Sequence, residues 1–244
     1  MIKAYARTDR GNVREKNEDY FYISNSLDEV QLYLLADGMG GYNGGEIASK
    51  LAVQTAKNYI ENNFKDIEKD KDSIIQLLGS SMEYANMIVY EKSKETPELQ
   101  GMGTTLEICL IYNNKAYIGH VGDSRIYRVR KQFIRKLTQD HSYVQKLVKE
   151  GTITKEQAEH HPQKNMLMKA LGCNAFVEPD VMVKGFLKDD IIIMCSDGLS
   201  NMVEQQTIYE MASKNIEQAT KDLVQLAKDR GGYDNITIVV IKNI

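Results

Sequence analysis

Four strand-like segments follow one another between residues 104 and 137, with very short connections between them. They are rich in β-branched and aromatic residues and cover residues 104–112, 115–121, 125–130 and 132–137. Asn113-Asn114 joins the first pair, and Arg130-Lys131 joins the last pair. Connections this short allow only antiparallel neighbours, because parallel strands need a crossover of about a dozen residues or more. The sequence therefore predicts antiparallel sheet in the middle of the chain.

Pairs of amphipathic helices are predicted on both sides of these strands. Apolar residues recur at helical spacing over residues 46–63, about 72–93, about 203–213 and about 216–229. Further strands are predicted at residues 1–9, 19–24, 32–36, 176–186, 190–195 and 235–241. Helix pairs between groups of antiparallel strands are typical of a layered α+β domain with sheets inside and helices outside. Residues 141–170 are polar and predicted to be helical, as an excursion from that core.

Length and composition exclude several classes of protein. The 244 residues are enough to bury a substantial core, and a net charge of -3 argues against a nucleic-acid-binding surface. The longest apolar runs, residues 32–36 and 191–195, are far shorter than the roughly 20 residues that span a bilayer. Three widely spaced cysteines, together with no apolar leader at the N-terminus, favour a reducing compartment. A cytoplasmic protein without a membrane anchor is expected.

Four aspartates stand at the ends of predicted central strands. Asp37 closes the run LYLLAD, Asp197 closes IIIMCSD, and Asp123 follows AYIGHVG. Asp234 stands just before the last strand, NITIVVI. An aspartate at the rim of an apolar sheet is partly removed from water, and several that converge would repel one another. Since no run of Lys or Arg accompanies these loops, a bound cation is the expected compensating charge.

The residues around these aspartates favour one kind of ion. Oxygen ligands without nearby His or Cys suit Mg²⁺ or Mn²⁺ better than zinc. The adjacent glycines allow tight turns and let a carbonyl such as that of Gly38 point at the ion. Each Asp-Gly loop, taken alone, is also an ordinary turn after a strand. Spacing and composition therefore leave two interpretations open, a carboxylate metal site and a set of structural turns.

Six short motifs occur in order along nearly the whole chain, from about Thr8 to Val240. They are Arg14…Glu18-Asp19, Asp37-Gly38-Met39-Gly40-Gly41, Gly101-Met102-Gly103-Thr104-Thr105, Gly119-His120-Val121-Gly122-Asp123-Ser124-Arg125, Ser196-Asp197-Gly198-Leu199 and Gly232-Tyr233-Asp234-Asn235-Ile236-Thr237. Each motif alone is a modest signal, whereas the ordered set is highly specific. It resembles the metal-dependent protein phosphatases of type 2C, in particular their bacterial serine/threonine branch.

The resemblance implies both a fold and a principal metal site. The fold would be a four-layer α-β-β-α sandwich, with two antiparallel sheets flanked by helix pairs and a small helical flap, in a single domain over residues 1–244. Asp37 resembles the carboxylate that bridges two metal ions, and the Gly38 carbonyl resembles a ligand of the second ion. Asp197 and Asp234 resemble ligands of the first ion.

Other residues match supporting roles in the family. Asp123, with Asp197, matches the position that binds a third, weaker metal in bacterial members. Glu18 and Asp19 resemble acids that hold metal-bound waters, and Arg14 resembles the arginine that binds the substrate phosphate. An arginine suits this role because its planar guanidinium can donate two hydrogen bonds to one phosphate.

The implied reaction is hydrolysis of phosphoserine and phosphothreonine in proteins. Two Mn²⁺ or Mg²⁺ ions would share a deprotonated water that attacks phosphorus in line, while the ions and Arg14 offset charge on the phosphoryl oxygens. Such a mechanism needs no Ser, Cys or His nucleophile. The expected partners are phosphorylated proteins and a serine/threonine kinase whose action the enzyme reverses. The expected oligomeric state is a monomer.

Two features of the resemblance stay open. Met39 stands where animal members have a histidine proposed as the general acid, so the proton donor is either His141 or a water on the third metal. Residues 141–171 correspond to the mobile flap beside the active site, which is expected to shape the access of protein substrates. The pair His160-His161 in this segment is predicted to be surface rather than a zinc site, because no partner at zinc spacing follows.

Three other functions fit the residues less well. A cysteine hydrolase would need an activated thiolate, and Cys195 closes an apolar strand where a small core residue is expected. A binding module that kept the fold but lost the chemistry would lack some of the metal acids, all of which are present here. A regulatory phosphatase dedicated to one partner would use the same chemistry and differ only in its substrate.

Overall fold

The computed structural model describes residues 1–25, 30–40 and 44–244. The strands are β1 (Ile2–Asp9), β2 (Asp19–Ile23), β3 (Gln31–Met39), β4 (Gly103–Thr104), β5 (Leu106–Tyr112), β6 (Lys115–Val121), β7 (Arg125–Arg130), β8 (Phe133–Lys136), β9 (Asp180–Gly185), β10 (Ile191–Cys195) and β11 (Ile236–Asn243). The helices are α1 (Gly44–Phe64), α2 (Lys71–Lys92), α3 (Tyr143–Lys149), α4 (Lys155–Glu159), α5 (Asp197–Ser200), α6 (Gln205–Lys214) and α7 (Ile216–Asp229). Gly41 of the predicted Asp-Gly motif lies outside the described residues.

The described strands form two antiparallel sheets. One sheet has the order β1-β11-β10-β7-β8, and the other has the order β2-β3-β5-β6-β9 with β4 paired to β3. The predicted hairpins are confirmed: β5 pairs with β6 and β7 pairs with β8. Asn113, Asn114 and Lys131 take positive φ values of 47°, 56° and 56° at the two turns. Positive φ at both Asn113 and Asn114 matches the right-handed twist of hairpin strands, and asparagine tolerates it well. The second turn is Lys131-Gln132 rather than the predicted Arg130-Lys131, because Arg130 still pairs with Phe133 in the β7–β8 ladder.

Three hydrophobic clusters separate four layers. Helices α1 and α2 pack on the sheet that contains β3, with Leu34, Ala52 and Met82 among the buried residues. Helices α6 and α7 pack on the sheet that contains β11, through residues such as Leu223 and Ile238. The third cluster fills the space between the two sheets. The predicted α-β-β-α sandwich is therefore confirmed.

Two local predictions need correction. Strand β3 does not end near Asp37 but continues to Met39, because Gly38 and Met39 pair with Thr104 and Gly103 of β4. The polar segment after residue 140 is helical only in the short helices α3 and α4, which end after a few residues. In the described part of the chain, no helix combines the length and apolar character that crossing a bilayer requires.

Candidate metal centre

Acidic side chains from both sheets gather at one end of the sandwich. Asp37 lies on β3, and Asp123 follows β6 in the same sheet. Asp197 is the first residue of α5, directly beyond β10, and Asp234 stands two residues before β11 in the other sheet. Asp19 opens β2 and is paired with Asp37 in the antiparallel register. Like charges directly opposite one another destabilise a sheet, so this arrangement calls for added positive charge.

The five aspartates are close enough to alter one another's ionisation. Burial raises the pKa of Asp37 well above its usual value, and repulsion from the other four aspartates raises it further. Burial, together with neighbouring carboxylates, also raises the pKa of Asp19 and Asp123 to about 7 and that of Asp197 to about 6. The carboxyl groups of Asp37 and Asp197 lie within hydrogen-bonding reach of each other. Full ionisation of this cluster is therefore unfavourable unless a cation joins it.

The donors of the cluster fit a hard divalent cation. They are carboxylate oxygens, which Mg²⁺ and Mn²⁺ prefer. Oδ2 of Asp19 accepts a hydrogen bond from Ser196 Oγ at 2.8 Å, whereas its buried Oδ1 has no hydrogen-bond partner in the described residues. An unpartnered buried carboxylate oxygen is costly, and a cation or a water held by one would satisfy it.

Arg14 and Asp234 form an ion pair beside this cluster. Nη2 of Arg14 donates to Oδ2 of Asp234 at 2.8 Å, and the Asn235 N–H donates to Oδ1 at 2.9 Å. Within residues 1–25, 30–40 and 44–244, no group of three or more His, Cys, Asp and Glu side chains is arranged as a ligand set for one ion. The Arg14 side chain is 52% exposed. The predicted phosphate-binding arginine thus lies beside the predicted metal acids and remains accessible to an anion.

Two glycines bring Glu18 against the strand that carries Asp37. A Cβ atom on Gly38 would lie 2.1 Å from the Gly45 carbonyl oxygen and 2.6 Å from that of Glu18. A Cβ atom on Gly45 would lie 2.6 Å from Glu18 Oε2. Only glycine fits at these positions, because any side chain would collide with backbone or carboxylate atoms. This close packing places both the backbone and the carboxylate of Glu18 next to β3.

Hydroxyl groups hold two of the acids in place. Ser196 Oγ, besides donating to Asp19, accepts a hydrogen bond from the Thr237 N–H at 2.9 Å. Thr105 Oγ1 accepts from the Asp37 N–H at 2.9 Å. Sequence reasoning does not single out these residues, although Ser196 and Thr105 lie inside the recognised motifs. The signal that could have found them is a hydroxyl residue inside a motif: Ser196 directly precedes Asp197, and Thr105 closes the Gly101–Thr105 motif.

Asn235 anchors the loop that carries Arg14. Its Oδ1 accepts from the Glu18 N–H at 2.7 Å, and its Nδ2 donates to the carbonyl oxygens of Arg10 and Lys16 at 2.9 and 2.8 Å. A single amide side chain therefore fixes both ends of the loop across more than 200 residues of sequence. This explains why an asparagine follows Asp234, and it is a second role that the motif alone does not reveal.

His141, one of the two predicted proton donors, faces the protein interior. The Gly122 N–H donates to its Nδ1 at 3.1 Å, and its Nε2 lies 3.3 Å from Asp180 Oδ2. Burial and the nearby charge of His120 lower the pKa of His141 to about 4. Both ring nitrogens serve contacts within the protein, so the geometry does not support the role of His141 as proton donor.

The structure also gives no support to Cys195 as a nucleophile or to the His160-His161 pair as a zinc site. Burial raises the pKa of the Cys195 thiol to about 12, so this side chain stays protonated and packs in the core. His160 is exposed as predicted, whereas His161 is half-buried and its ring contacts Tyr143 at 6.1 Å between centroids. Neither feature competes with the acidic cluster as a reaction centre.

A sequence profile for the family described as Protein phosphatase 2C matches residues 10–232. The chain belongs to the protein phosphatase 2C family. Membership confirms the fold and the enzyme class predicted from the motifs, a metal-dependent protein serine/threonine phosphatase. In this PP2C chain, the aspartates of the six motifs are the ones that gather at the end of the sandwich.

Bacterial phosphatases match this PP2C chain over almost its full length. It is 34% identical over 243 residues to the serine/threonine phosphatase Stp of Listeria monocytogenes, covering 99% of this chain and 96% of that protein. The solved structure of the S. agalactiae serine/threonine phosphatase shares 35% identity and a TM-score of 0.91, with 100% of both chains covered. The catalytic domain of PstP, solved with two manganese ions, shares 34% identity and a TM-score of 0.86, covering 99% of this chain and 97% of that chain.

Proposed function

We propose that this PP2C phosphatase hydrolyses phosphoserine and phosphothreonine in proteins at the acidic cluster, with two Mn²⁺ or Mg²⁺ ions held between its carboxylates. The observation that carries the proposal is the convergence of five aspartates from both sheets at one end of the sandwich. When bound, the ions would lower the pKa of the attacking water and offset charge on the phosphoryl oxygens. The manganese-bound structure of the relative PstP supports the choice of ion.

The principal ligands follow from the position of Asp37. Its carboxyl group interacts with all the other clustered aspartates, so it is the natural ligand to be shared by two ions. Asp197, within hydrogen-bonding reach of Asp37, and Asp234 would complete the first site. The carbonyl oxygen of Gly38, one residue beyond Asp37 on β3, would serve the second.

The remaining acids are proposed to act more indirectly. Glu18 and Asp19 would hold waters, and the unpartnered Oδ1 of Asp19 supports this role. Asp123, whose pKa is raised by burial and by Asp197, would bind a third, weaker ion together with Asp197. Since His141 is engaged elsewhere, a water held at Asp123 is the proposed proton donor to the leaving alcohol.

Arg14 is proposed to bind the substrate phosphate. Its guanidinium lies beside the acids, donates to Asp234 and remains half exposed. A fork of N–H donors next to the reacting phosphoryl group both orients it and offsets the charge that develops there.

Replacing Arg14 by alanine is expected to lower kcat/KM for a phosphothreonine peptide by about 10²-fold, or about 3 kcal/mol, because a charge-assisted pair of hydrogen bonds to the phosphate is lost. The measurement is initial phosphate release at saturating Mn²⁺. Arg7→Ala, which removes an exposed arginine on β1, is the matched control and should stay within twofold of the wild type. A kcat/KM within threefold of the wild type in R14A would contradict the assignment.

The proposal extends to the cellular setting and to the flap. Substrates would be phosphorylated proteins, opposed by a serine/threonine kinase, and the chain would act as a cytoplasmic monomer with residues 1–244 as one domain. Residues 141–171 would form a flap beside the site. Both ends of this segment support that role, because Leu171 exchanges two backbone hydrogen bonds with Thr104 and His141 donates one to Gly122.

The direct test of function is phosphate release from a phosphothreonine peptide with Mn²⁺, with Mg²⁺ and with EDTA. Turnover is expected with either ion, and EDTA should reduce it by about 10²-fold or more, since the carboxylates alone cannot activate water. Excess Mn²⁺ should then restore the rate. Unchanged turnover after dialysis against EDTA would overturn the proposed metal mechanism, and absence of turnover with every divalent ion would overturn the function.

A further inference from the structure

A buried ion pair lies directly beside the turn that carries Asp123. Glu107 on β5 and His120 on β6 are register partners, and neither side chain has any exposed surface. Glu107 Oε1 lies 2.6 Å from His120 Nδ1, and His120 Nε2 lies 2.8 Å from the carbonyl oxygen of Gln139. Nε2 faces a carbonyl oxygen and Nδ1 faces a carboxyl oxygen, which is the arrangement of an imidazolium paired with a carboxylate. Although burial opposes it, the carboxylate raises the pKa of His120 to about 9.

The ring of His141 stacks on this imidazolium. The two ring centroids are 4.5 Å apart, with an angle of 30° between the planes. Because Nδ1 of His141 accepts from the Gly122 N–H at 3.1 Å, that nitrogen carries no proton. Nε2 therefore carries the proton and faces Asp180 Oδ2 at 3.3 Å. A neutral imidazole is thus held in one orientation between an imidazolium and a carboxylate.

His141 forms two hydrogen bonds with the backbone of Gly122. Besides accepting from the Gly122 N–H, it donates its own backbone N–H to the Gly122 carbonyl at 2.7 Å. Gly122 has a φ of +121°, and a Cβ atom there would lie 2.5 Å from Thr105 Cγ2. Thr105 in turn hydrogen-bonds the backbone of Asp37. The turn that presents Asp123 is therefore fixed against the Asp37 strand on one face and against His141 on the other.

The same residue ties down the base of segment 141–171. The Met168 N–H donates to the His141 carbonyl at 2.8 Å, and Ser142 and Leu167 form a β-bridge. Both arms of the segment's base thus meet at His141, whose own ring forms half of the stack with His120.

We propose that His141 is a positioning residue that holds the Gly122–Asp123 turn ready for the weaker third cation and anchors the base of segment 141–171 at the same point. This inference rests on the proposed function, because it presumes that Asp123 binds an ion. Replacing a group that orients a metal ligand typically lowers metal affinity by about 10- to 100-fold. The bond from Gly122 to His141 is the contact expected to matter most.

Two amide variants isolate that bond. In His141→Asn, the amide oxygen can take the place of Nδ1 as acceptor for Gly122, whereas in His141→Gln the amide lies near the position of Nε2. Both variants lose the stacked ring equally. Mn²⁺ binding is measured without substrate, by electron paramagnetic resonance of the free ion. H141Q should bind its weakest Mn²⁺ about tenfold more weakly than the wild type with the tighter sites unchanged, and H141N should recover most of this loss.

Activity and folding provide the remaining readouts. The Mn²⁺ concentration for half-maximal phosphate release should rise about tenfold in H141Q, with the peptide KM unchanged. His160→Gln, at an exposed position in the same segment, is the matched control. His141→Phe keeps a ring in the stack without the acceptor, and should behave as H141Q if the amide variants fold poorly.

Several results would overturn the inference. The first is that H141Q and H141F bind Mn²⁺ at the weakest site as tightly as the wild type does. The second is that these variants weaken Mn²⁺ binding equally at every site. The third is that the wild type binds only two Mn²⁺ ions. A wild type that binds no Mn²⁺ and releases no phosphate would instead refute the proposed function itself.

Discussion

Replacing Asp37 by asparagine is expected to lower kcat for phosphopeptide hydrolysis by about 10³-fold or more, which corresponds to about 4 kcal/mol of transition-state stabilisation. Asp37 interacts with each of the other clustered aspartates, so it is the ligand best placed to serve two ions. Asparagine keeps the size of the side chain but removes the negative charge that a hard divalent cation requires. The measurement is the initial rate at saturating Mn²⁺ and saturating phosphothreonine peptide.

The same variant is expected to be at least as stable as the wild type when EDTA is present. Burial and repulsion raise the pKa of Asp37 in the folded state, so its charged form destabilises the fold near neutral pH. A neutral asparagine removes that cost, whereas Mn²⁺ should raise the Tm of the wild type more than that of D37N. Asp66→Asn, in the exposed connection between α1 and α2, is the matched control for activity. A kcat within tenfold of the wild type would remove Asp37 from the proposed centre.

Replacing Glu107 by alanine is expected to lower the free energy of unfolding by about 3–5 kcal/mol. The carboxylate and the His120 ring are both fully buried and lie 2.6 Å apart. Without Glu107, the ring must either stay charged with no counter-charge or lose the proton that it donates. Either outcome is costly in the core, and the loss is a large fraction of the roughly 5–15 kcal/mol that stabilises a typical domain. Urea unfolding at pH 7 measures it.

Two comparisons show whether burial of the ion pair causes the expected loss of stability in E107A. Glu91→Ala removes an exposed carboxylate that pairs with Lys94 at 2.9 Å, and it should change stability by less than about 0.5 kcal/mol. The double replacement Glu107→Leu with His120→Leu removes both charges and should recover most of the loss, because apolar residues tolerate burial. A loss below about 1 kcal/mol in E107A would contradict a buried ion pair at this position.

The pair also gives the wild type a distinct pH dependence. Burial lowers the pKa of His120, but Glu107 more than offsets this and raises it from 6.5 to about 9. A raised pKa in the folded state means that the stabilisation is complete below about pH 6.5 and is lost as the pH rises through about 9. Burial also raises the pKa of Glu107 to about 7, so the cost of ionising Glu107 falls mainly below pH 7 and the change above pH 7 belongs mainly to His120. The wild type should therefore lose more stability than E107A between pH 7 and about 9.5.

Local signals in the sequence predict a layered α+β domain, and the family resemblance adds the four-layer α-β-β-α arrangement. Short turns such as Asn113-Asn114 require antiparallel hairpins, and helical periodicity places the outer layers. The acids at the ends of apolar runs indicated where a charged centre would lie. Ordered motifs then distinguished the metal site from a set of ordinary turns, which spacing alone did not do.

Contacts between distant residues account for what the sequence could not show. Ser196 and Asp19 are 177 residues apart in sequence, and Arg14 and Asp234 are 220 apart, so neither pairing has a local signature. The Glu107–His120 pair has only a weak local signature, which is a charged residue inside the apolar strand LEICLIY. His141 shows the same limit, because only the folded chain reveals that its nitrogens are taken by Gly122 and Asp180.

The most direct test of the metal centre is a crystal of this protein grown with Mn²⁺ and measured at the manganese absorption edge. Anomalous density is expected next to the carboxylates of Asp37, Asp197 and Asp234, with one peak on each side of Asp37. Density at this position should vanish in a D37N crystal grown under the same conditions. An active protein whose crystals show no manganese at these carboxylates, or show it only elsewhere, would contradict the account.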